Sequence, residues 1–392
     1  MSFGSRRRVF RFPVVALTVL ISVSVAPAQT RPAQNSAAAE KMVSEKIFKN
    51  VTALKGISQE EFMATMGFLS ASLGMNCVDC HVPESGGDWA KYADETPLKQ
   101  RSRMMIAMVN GINKSYFAGR RVVTCYSCHR GTNKPLLTPS IAEIYGPPLT
   151  SEPDTLMPQA PRGMAPDAIL DKYIQAVGGA ANLSKLTSVV AKGKYRGYAD
   201  DSEYPFELYA KAPNQRAVVL HGAVGNLSTV TDGKSAWQAS PAIISLIPVA
   251  ELAGGDLNGA KLDAALLFPG QIKQALTQWR TIFPSNIGGK RMQVVQGTAD
   301  GHWPINLYFD NATGLLTRQV RFSDTVIGLA ATQVDYADYR DVAGIKVPFK
   351  ITSSWFDGRV ALELTDVQPN AAVDASKFAK PAAPPPAPKA SR

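Results

Sequence analysis

Two segments of the chain carry apolar residues at helical spacing, and each begins with a helix-capping signal. In the first, SQEEFMATMGFLSASLGM (58–75), Ser58 and Glu61 form a capping box, and the apolar face comprises Phe62, Met66, Leu69 and Leu73. In the second, which starts TPLKQRSRMM, Thr96 is the cap and Pro97 the first helical residue, and the apolar seam comprises Met105, Met108, Val109, Ile112 and Tyr116. The pattern predicts two amphipathic helices.

The pattern changes to strand-like alternation in the larger, C-terminal half. A helix is predicted over 167–177, stopped by Gly178 and Gly179. VVAKGKYRGY, PFELYAKA and INLYF then have the composition of strands. Asp-Gly pairs at 232–233, 300–301 and 357–358 join such runs, most clearly in ITSSWFDGRVALEL, and Asp-Gly is a strong hairpin signal. We therefore predict an antiparallel meander, with helices in 246–279 packed across it.

The N-terminus has the pattern of a secretory signal peptide. Arg6, Arg7, Arg8 and Arg11 precede an apolar run that ends in the small-residue site Ala26-Pro27-Ala28. The run is shorter than the roughly 20 residues of a membrane span. We predict cleavage after Ala28 and export to the periplasm, with an uncleaved anchor as the alternative.

The charge of the chain argues against nucleic-acid binding. Removal of residues 1–28, which contain four arginines and no acids, lowers the formal net charge from +10 to +6. That balance is mildly basic and lacks the strong excess that nucleic acid requires. We predict that nucleic acid is not a partner.

Two copies of one five-residue pattern contain all four cysteines and two of the four histidines. CVDCH occupies 77–81, and CYSCH occupies 125–129. Two thiols at this spacing reach the two vinyl groups of a porphyrin, and the adjacent histidine then lies under the iron as its proximal ligand. Zinc ribbons place cysteine pairs closer together and need no histidine after each pair, and disulfides remain an alternative in an exported protein. The motifs predict two covalently bound haem c groups, attached through Cys77, Cys80, Cys125 and Cys128 and ligated by His81 and His129.

A methionine on the preceding helix is the candidate second iron ligand at each site. Met75 lies too close to Cys77 to reach the opposite haem face, whereas Met63 and Met66 have the reach. Both could equally be core methionines. Met66 precedes Cys77 by 11 positions and Met108 precedes Cys125 by 17, so the segment looks like an internal duplication. His221 and His302, in the C-terminal half, are weaker candidates.

The segment from about Lys46 to Thr138 resembles the cytochrome c subunit of photosynthetic reaction centres, in its shortened two-haem form. The resemblance rests on FMATMGFLSASLGMNCVDCH and on RMMIAMVNGIN followed by VTCYSCHRG. It implies that Met66 and Met108 complete the two irons, with Met63, Met104 and Met105 as fallbacks. The full subunit has four haem sites and this chain has two, so delivery of electrons to a reaction centre is not implied.

The C-terminal half is similar to the open half-barrel of the lipoprotein-carrier superfamily, in its leading helix, hairpins and the phrases LYFDNATGLL and DYADYRDVAGIKVPF. That similarity implies a concave apolar face. Such a face could hold a hydrophobic ligand such as a lipid or quinone, or be filled by the domain's own side chains, making it a docking platform. We favour the second interpretation.

These observations predict an α+β protein of two domains. The order is a signal peptide (1–28), a small mainly-α dihaem cytochrome c domain (41–138), a proline-rich linker (139–164), a β-rich half-barrel domain (165–379) and a disordered proline-rich tail (380–392). The predicted function is relay of single electrons between periplasmic redox proteins or a membrane electron-transfer complex. No catalytic residue is predicted. A two-haem peroxidase and a lipid- or quinone-binding protein with a redox-sensing haem module are the alternatives.

Charge is distributed unevenly along the predicted haem domain. Residues 58–95 contain seven acids and one base, whereas 96–134 contain eight bases and no acid. Positive surroundings favour the reduced iron. We predict the higher reduction potential at the second haem, with solvation of a helix face as the simpler explanation of the arginines.

Overall fold

The computed structural model describes residues 43–86, 88–135, 137–138, 152–197, 202–298 and 303–383. The predicted signal peptide, the Asp-Gly pair at 300–301, His302 and parts of the predicted linker and tail lie outside these residues. From Ala38 onward the chain forms one compact unit. The described part combines a helical segment with one large antiparallel sheet, which confirms the predicted α+β class.

The described part of the helical segment contains five α-helices: α1 (Ser44–Ile47), α2 (Gln59–Leu73), α3 (Cys77–Cys80), α4 (Pro97–Tyr116) and α5 (Cys125–His129), with 3₁₀ turns at Pro83–Gly86 and Trp89–Ala93. Both predicted caps are present. The Ser58 Oγ accepts from the Glu61 N–H at 3.1 Å, and the Thr96 Oγ1 accepts from the Lys99 N–H at 3.2 Å. Helix α2 ends at Gly74, whose φ of 62° is the left-handed conformation that favours glycine.

The C-terminal half contains thirteen described strands: β1 (Ser188–Gly197), β2 (Glu203–Lys211), β3 (Gln215–Gly222), β4 (Gly225–Thr231), β5 (Ala236–Ala239), β6 (Val249–Glu251), β7 (Thr277–Ile287), β8 (Lys290–Thr298), β9 (Ile305–Asp310), β10 (Leu316–Thr325), β11 (Gly328–Val342), β12 (Ile345–Trp355) and β13 (Gly358–Pro369). The sheet order is β6-β5-β4-β3-β2-β1-β13-β12-β11-β10-β9-β8-β7, and the neighbours are antiparallel. Two meanders, β1–β6 and β7–β13, are thus joined where the first strand pairs with the last. The Asp-Gly turn at 357–358 closes a hairpin in which Trp355 opposes Gly358, as predicted.

Helices cover one face of this sheet. They are α6 (Pro166–Ala176), α7 (Ala180–Leu183), α8 (Gly254–Ala265) and α9 (Ile272–Ala275), with a 3₁₀ turn at Pro269–Gln271. A further 3₁₀ turn, Ala375–Phe378, packs through Phe378 on Ala217 and Val230 in a separate cluster. The largest apolar cluster of the described residues lies between these helices and the strands, and includes Leu170, Leu262, Ile272, Leu307 and Leu316. Complete burial of one such side chain contributes about 1.5–3 kcal/mol, so this cluster dominates the stability of the β half.

The prediction of helix over 246–279 is correct only in its middle. Val249–Glu251 forms β6, the edge strand, and Thr277–Ile287 forms β7, the strand at the opposite edge. Over so short a run, the spacing of the apolar residues around Trp279 fits a helix and a strand equally well. Pairing of β7 with β8 decides the outcome, and that is a tertiary interaction.

The helical segment packs against the ends of two hairpins of the sheet. Phe68 of α2 and Ile106 of α4 share a buried apolar cluster with Ile327, from the turn between β10 and β11. The Phe68 ring also meets the Phe356 ring of the β12–β13 turn edge-on, with centroids 5.6 Å apart. A Cβ atom at Gly328 would lie 2.5 Å from the Phe68 ring, so only glycine permits this approach.

A salt bridge and two hydrogen bonds reinforce this contact. The Arg121 guanidinium pairs with the Asp324 carboxylate, and its Nη1 donates to the carbonyl oxygens of Thr325 and Gly328, the latter at 3.2 Å. The Trp303 Nε1 donates to the other Asp324 oxygen at 2.9 Å. Arg121 therefore joins the connector before the second CxxCH motif to the β10–β11 turn.

Candidate haem-binding sites

The first CxxCH motif forms a short helix with well-defined ends. Asn76 caps it, accepting from the N–H groups of Val78 at 3.1 Å and Asp79 at 3.2 Å, while the Asp79 carboxylate accepts from the Asn76 N–H at 2.8 Å. Because Cys77 and Cys80 are three residues apart on a helix, both thiols lie on one side of it. The Thr96 Oγ1, at the start of α4, donates to the Cys80 carbonyl at 2.6 Å. Burial raises the pKa of the half-buried Cys80 thiol.

His81 follows this helix and is held by a backbone carbonyl. Its Nδ1 lies 3.2 Å from the Tyr92 oxygen, and its ring meets the Tyr92 ring at 61° with centroids 4.8 Å apart. A carbonyl oxygen can only accept, so Nδ1 carries the proton and the lone pair lies on Nε2. Burial, and secondarily the charge of Lys99, lowers the pKa of His81, which favours the neutral ring that ligates a metal.

The second motif repeats this arrangement with different residues. At the start of α5 the Thr124 N–H donates to the Ser127 Oγ at 3.0 Å. Cys125 is buried, and burial raises the pKa of its thiol, whereas Cys128 is exposed. His129 Nδ1 lies 3.0 Å from the Thr132 carbonyl oxygen, so its Nε2 is also the free ring nitrogen.

Asn113 positions the approach to the second motif, a role that the sequence reasoning missed. This buried residue of α4 accepts at its Oδ1 from the N–H groups of Val122 at 3.1 Å and Val123 at 2.9 Å, and its Nδ2 donates to the Val123 carbonyl at 2.7 Å. Three backbone groups of the connector are satisfied by one side chain. An asparagine inside an apolar helical seam is the signal that could have identified it.

The predicted apolar seam of α4 is wrong in its register. The buried residues are Ile106, Val109 and Asn113, whereas Met108 is 47% exposed and Tyr116 is 79% exposed. The reason is Asn113, whose bonds to the connector turn its own face inward. Of the fallback ligands on this helix, Met104 is 61% exposed and Met105 is half-buried.

Helix α2 is likewise rotated from the prediction. Its buried residues are Thr65, Gly67, Phe68 and Ser72, while Phe62, Met66 and Leu69 are only partly buried and pack against the cluster that contains Cys125. Met63 is 37% exposed. The methionine predicted for the first haem thus lies on a partly covered apolar face, which also borders the second motif.

The lining of the two sites is compatible with covalent haem. None of the four cysteines is in a disulfide. Within the described ranges, no three His, Cys, Asp or Glu side chains are grouped as a bare metal ion would need. A porphyrin needs apolar walls, and α2 and α4 each carry a partly covered apolar face with a candidate methionine. The buried Ser85 Oγ, just after the first motif, has no hydrogen-bond partner among the described residues and is a donor suited to a propionate.

Charge separation between the two sites is less complete than the sequence suggests. Lys99, counted with the basic segment, extends back to the first site, where its Nζ donates to the carbonyls of Tyr92 at 2.9 Å and Asp94 at 2.7 Å. Arg103 pairs with Glu95 at 2.7 Å, and Arg121 pairs with Asp324. The first helical turns of α4 thus bring positive charge to the acidic site.

His221 lies in the sheet, where its Nδ1 is 3.1 Å from the Asn226 Oδ1.

Comparison with known proteins gives a match for the helical segment. Residues 16–141 match the family model of the photosynthetic reaction centre cytochrome C subunit. The photosynthetic reaction center cytochrome c subunit of Thermochromatium tepidum is 34% identical over 113 residues, which are 28% of this chain. The chain spans 26% of that protein's length. The predicted resemblance is confirmed for this segment.

Solved structures similar to this chain correspond to its β half. The match to a LolA superfamily protein from Nitrosomonas europaea covers 56% of this chain and 99% of that protein's chain, at 13% identity and a TM-score of 0.39. A DUF1329 family protein from Desulfovibrio piger covers 55% and 98%, at 10% identity and a TM-score of 0.39. At these values neither structure informs function.

In the part of the chain that the structure describes, no helix has the length and apolarity to span a membrane.

Proposed function

We propose that the protein is an exported dihaem c-type cytochrome that relays single electrons between periplasmic or membrane redox partners. The observation that carries the proposal is the repeated geometry of the two motifs. In each, two cysteines three residues apart lie on a one-turn helix, and the next residue is a histidine whose Nδ1–H is bound to a carbonyl. The match of residues 16–141 to a reaction-centre cytochrome family supports it.

Different side chains of the two sites would attach the cofactor, ligate its iron and set its reduction potential. Haem c, when bound, supplies one-electron exchange at its iron. Cys77, Cys80, Cys125 and Cys128 would attach it, and His81 and His129 would ligate it through Nε2. The carbonyls of Tyr92 and Thr132 fix the orientation of the two imidazoles and leave Nε2 of each as the free ring nitrogen. Met66 and Met108 would complete the coordination and raise the potentials.

A relay differs from a peroxidase in the second axial position. A peroxidase needs one iron open to substrate, whereas a relay keeps both irons six-coordinate. Candidate methionines on both α2 and α4 would close the two irons to substrate, which supports the relay. The match to a cytochrome family also favours electron transfer.

The test is to count haems and measure potentials on the full chain matured in a periplasm. We expect two haems per chain, one in the variant C77S/C80S, and one in the variant C125S/C128S. Titration of the visible bands should give two high-potential components with no spectral response to carbon monoxide or peroxide. One haem or none in the wild type, or an iron that binds either molecule, would refute the relay.

One observation favours ligand binding as a second candidate function. A cleft of about 230 Å³ lies beside α8 and α9, with walls that include Leu262, Leu276 and Ile305 and with Lys261 at its border. The buried Nδ2 of Asn258, which also lines it, has no hydrogen-bond partner in the described part of the chain. Typical ligand pockets are about 300–1,000 Å³, so a whole lipid or quinone tail would not fit without movement of α8.

Extraction of the purified protein with organic solvent tests this candidate. Stoichiometric lipid or quinone would support it. Its absence, from protein that carries both haems, would leave the β half as the docking platform that its filled face suggests.

A further inference from the structure

The proximal histidine of the first site is connected to the protein surface by a series of aromatic rings. The His81 ring contacts Tyr92, whose ring lies 5.3 Å from that of Trp89, centroid to centroid. The Trp89 Nε1 in turn donates to the Ile243 carbonyl at 3.1 Å. Ile243 belongs to the β half, so the first haem site meets the loop between β5 and β6.

That loop is apolar and exposed. Residues 240–250 carry no charged side chain. Ile243 is 56% exposed, Ile244 is 40% exposed and Leu246 is 42% exposed. The loop is fixed in place by more than Trp89, because the Gln59 Nε2 of α2 donates to the Ser245 Oγ at 3.3 Å. Exposed apolar side chains grouped on a well-anchored loop are typical of an interaction surface.

Acidic residues border this surface on the side of the first motif. Glu84 and Asp88 are exposed, and Asp94 and Glu95 pair with Lys91 at 3.3 Å and with Arg103 at 2.7 Å. Lys99 also lies at this site, so the four acids and three bases leave the rim net negative. An apolar centre with a charged rim is the anatomy of a weak electron-transfer interface. The rim is negative, so its complement is positive.

We propose that the corner formed by Trp89, Ile243, Ile244 and Leu246 is the docking site of a basic one-electron redox protein. The partner would sit over the end of the ring series that leads to His81, so electrons would enter or leave through the first haem. One electron passes from one protein to the other, and no bond forms or breaks. This inference rests on the proposed function and adds to it the site and the charge of a partner.

The test uses a purified basic mitochondrial cytochrome c as the probe and the haem-loaded full chain. Stopped-flow absorbance gives the bimolecular rate of electron exchange at a series of ionic strengths. Glu84→Lys should lower the rate about three- to tenfold at low salt, with the difference vanishing as salt screens the rim. Asp366→Lys, an equal charge change on β13, is the matched control and should have a much smaller effect.

A second pair of variants tests the apolar centre. Ile243→Ser with Ile244→Ser should lower the rate at every ionic strength, because the lost contact is not electrostatic. Phe283→Ser is the control, since Phe283 is 60% exposed on β7, at the opposite edge of the sheet. Equal rates for Glu84→Lys and Asp366→Lys, or for the serine double variant and Phe283→Ser, would overturn the docking site.

Haem content separates this result from failure of the proposed function. Every variant is first assayed for two haems, and its potentials are measured so that rates are compared at equal driving force. Protein without haem would refute the proposed function itself. Protein with both haems whose rates do not respond to the corner variants would leave the relay standing and place the docking site elsewhere.

Discussion

The Arg121 guanidinium contacts the Asp324 carboxylate across 203 positions of sequence. The side chains are 28% and 34% exposed, so solvent weakens the pair without removing it. We expect Arg121→Gln, Asp324→Asn and the double variant to give a coupling energy of about 1–2 kcal/mol in urea unfolding. Additive single effects would mean that the pair does not join the helical segment to the sheet.

Asn113 should be more sensitive than any exposed residue of α4. Asn113→Ala leaves two N–H groups and one carbonyl of the connector without their partner, which should lower the free energy of unfolding by about 2–4 kcal/mol. The measurement is urea unfolding of the haem-loaded chain. Asn110→Ala, at an exposed position on the same helix, is the control and should change stability by less than about 0.5 kcal/mol. Equal effects would contradict the role given to Asn113.

The two predicted methionine ligands can be separated by titration. We expect Met66→Ala to lower the potential of one haem and Met108→Ala that of the other, because each loses the thioether that favours the ferrous state. Each variant should also bind carbon monoxide at one iron only. Met104→Ala, on the same helix and more exposed than Met108, should leave both potentials unchanged. A shift with Met104→Ala in place of Met108→Ala would move the ligand to that fallback.

Arg120 tests the predicted order of the two potentials without disturbing the sheet contact. Arg121 pairs with Asp324, whereas Arg120 is exposed, and its side chain bonds the Phe117 carbonyl of its own turn at 3.4 Å. Arg120→Gln should lower the second potential by on the order of tens of millivolts, more at low than at high salt. Arg291→Gln, on β8, is the charge control. A larger shift at the first haem would contradict the assignment of Arg120 to the second site.

Asp256 should give the β half a pH-dependent stability. Its carboxylate, on α8, accepts from the Ser323 Oγ at 3.0 Å, and burial raises its pKa above the usual 3.8. The folded state therefore binds the proton more tightly than the unfolded state, so stability falls as the pH rises from the unfolded to the folded pKa. The advantage of Asp256→Asn over wild type in urea midpoint should grow between about pH 4 and pH 7. A constant difference across that range would be contrary to this expectation.

Local signals made the helix starts and the hairpin predictable. The features that depend on long-range contacts could not be predicted from the sequence. Ser58, Thr96 and the Asp-Gly turn at 357–358 act on groups within four residues, so these signals can be recognised in the sequence. The buried faces of α2 and α4 depend instead on partners such as Ile327 and Phe356, which are distant in sequence. The loop at 240–248 carries no pattern that would link it to Trp89, and only the fold brings them together.

The pairing of β1 with β13 sets an order of events for the growing chain. The central pair of the sheet aligns Val189 with Pro369, so the sheet cannot close until nearly the whole chain has been synthesised. Both CxxCH motifs emerge long before the hairpin ends against which α2 packs. Their thiols are therefore accessible while the sheet is still incomplete, and cofactor attachment has a natural interval before Ile327 and Phe356 arrive to close the buried side of the helical segment.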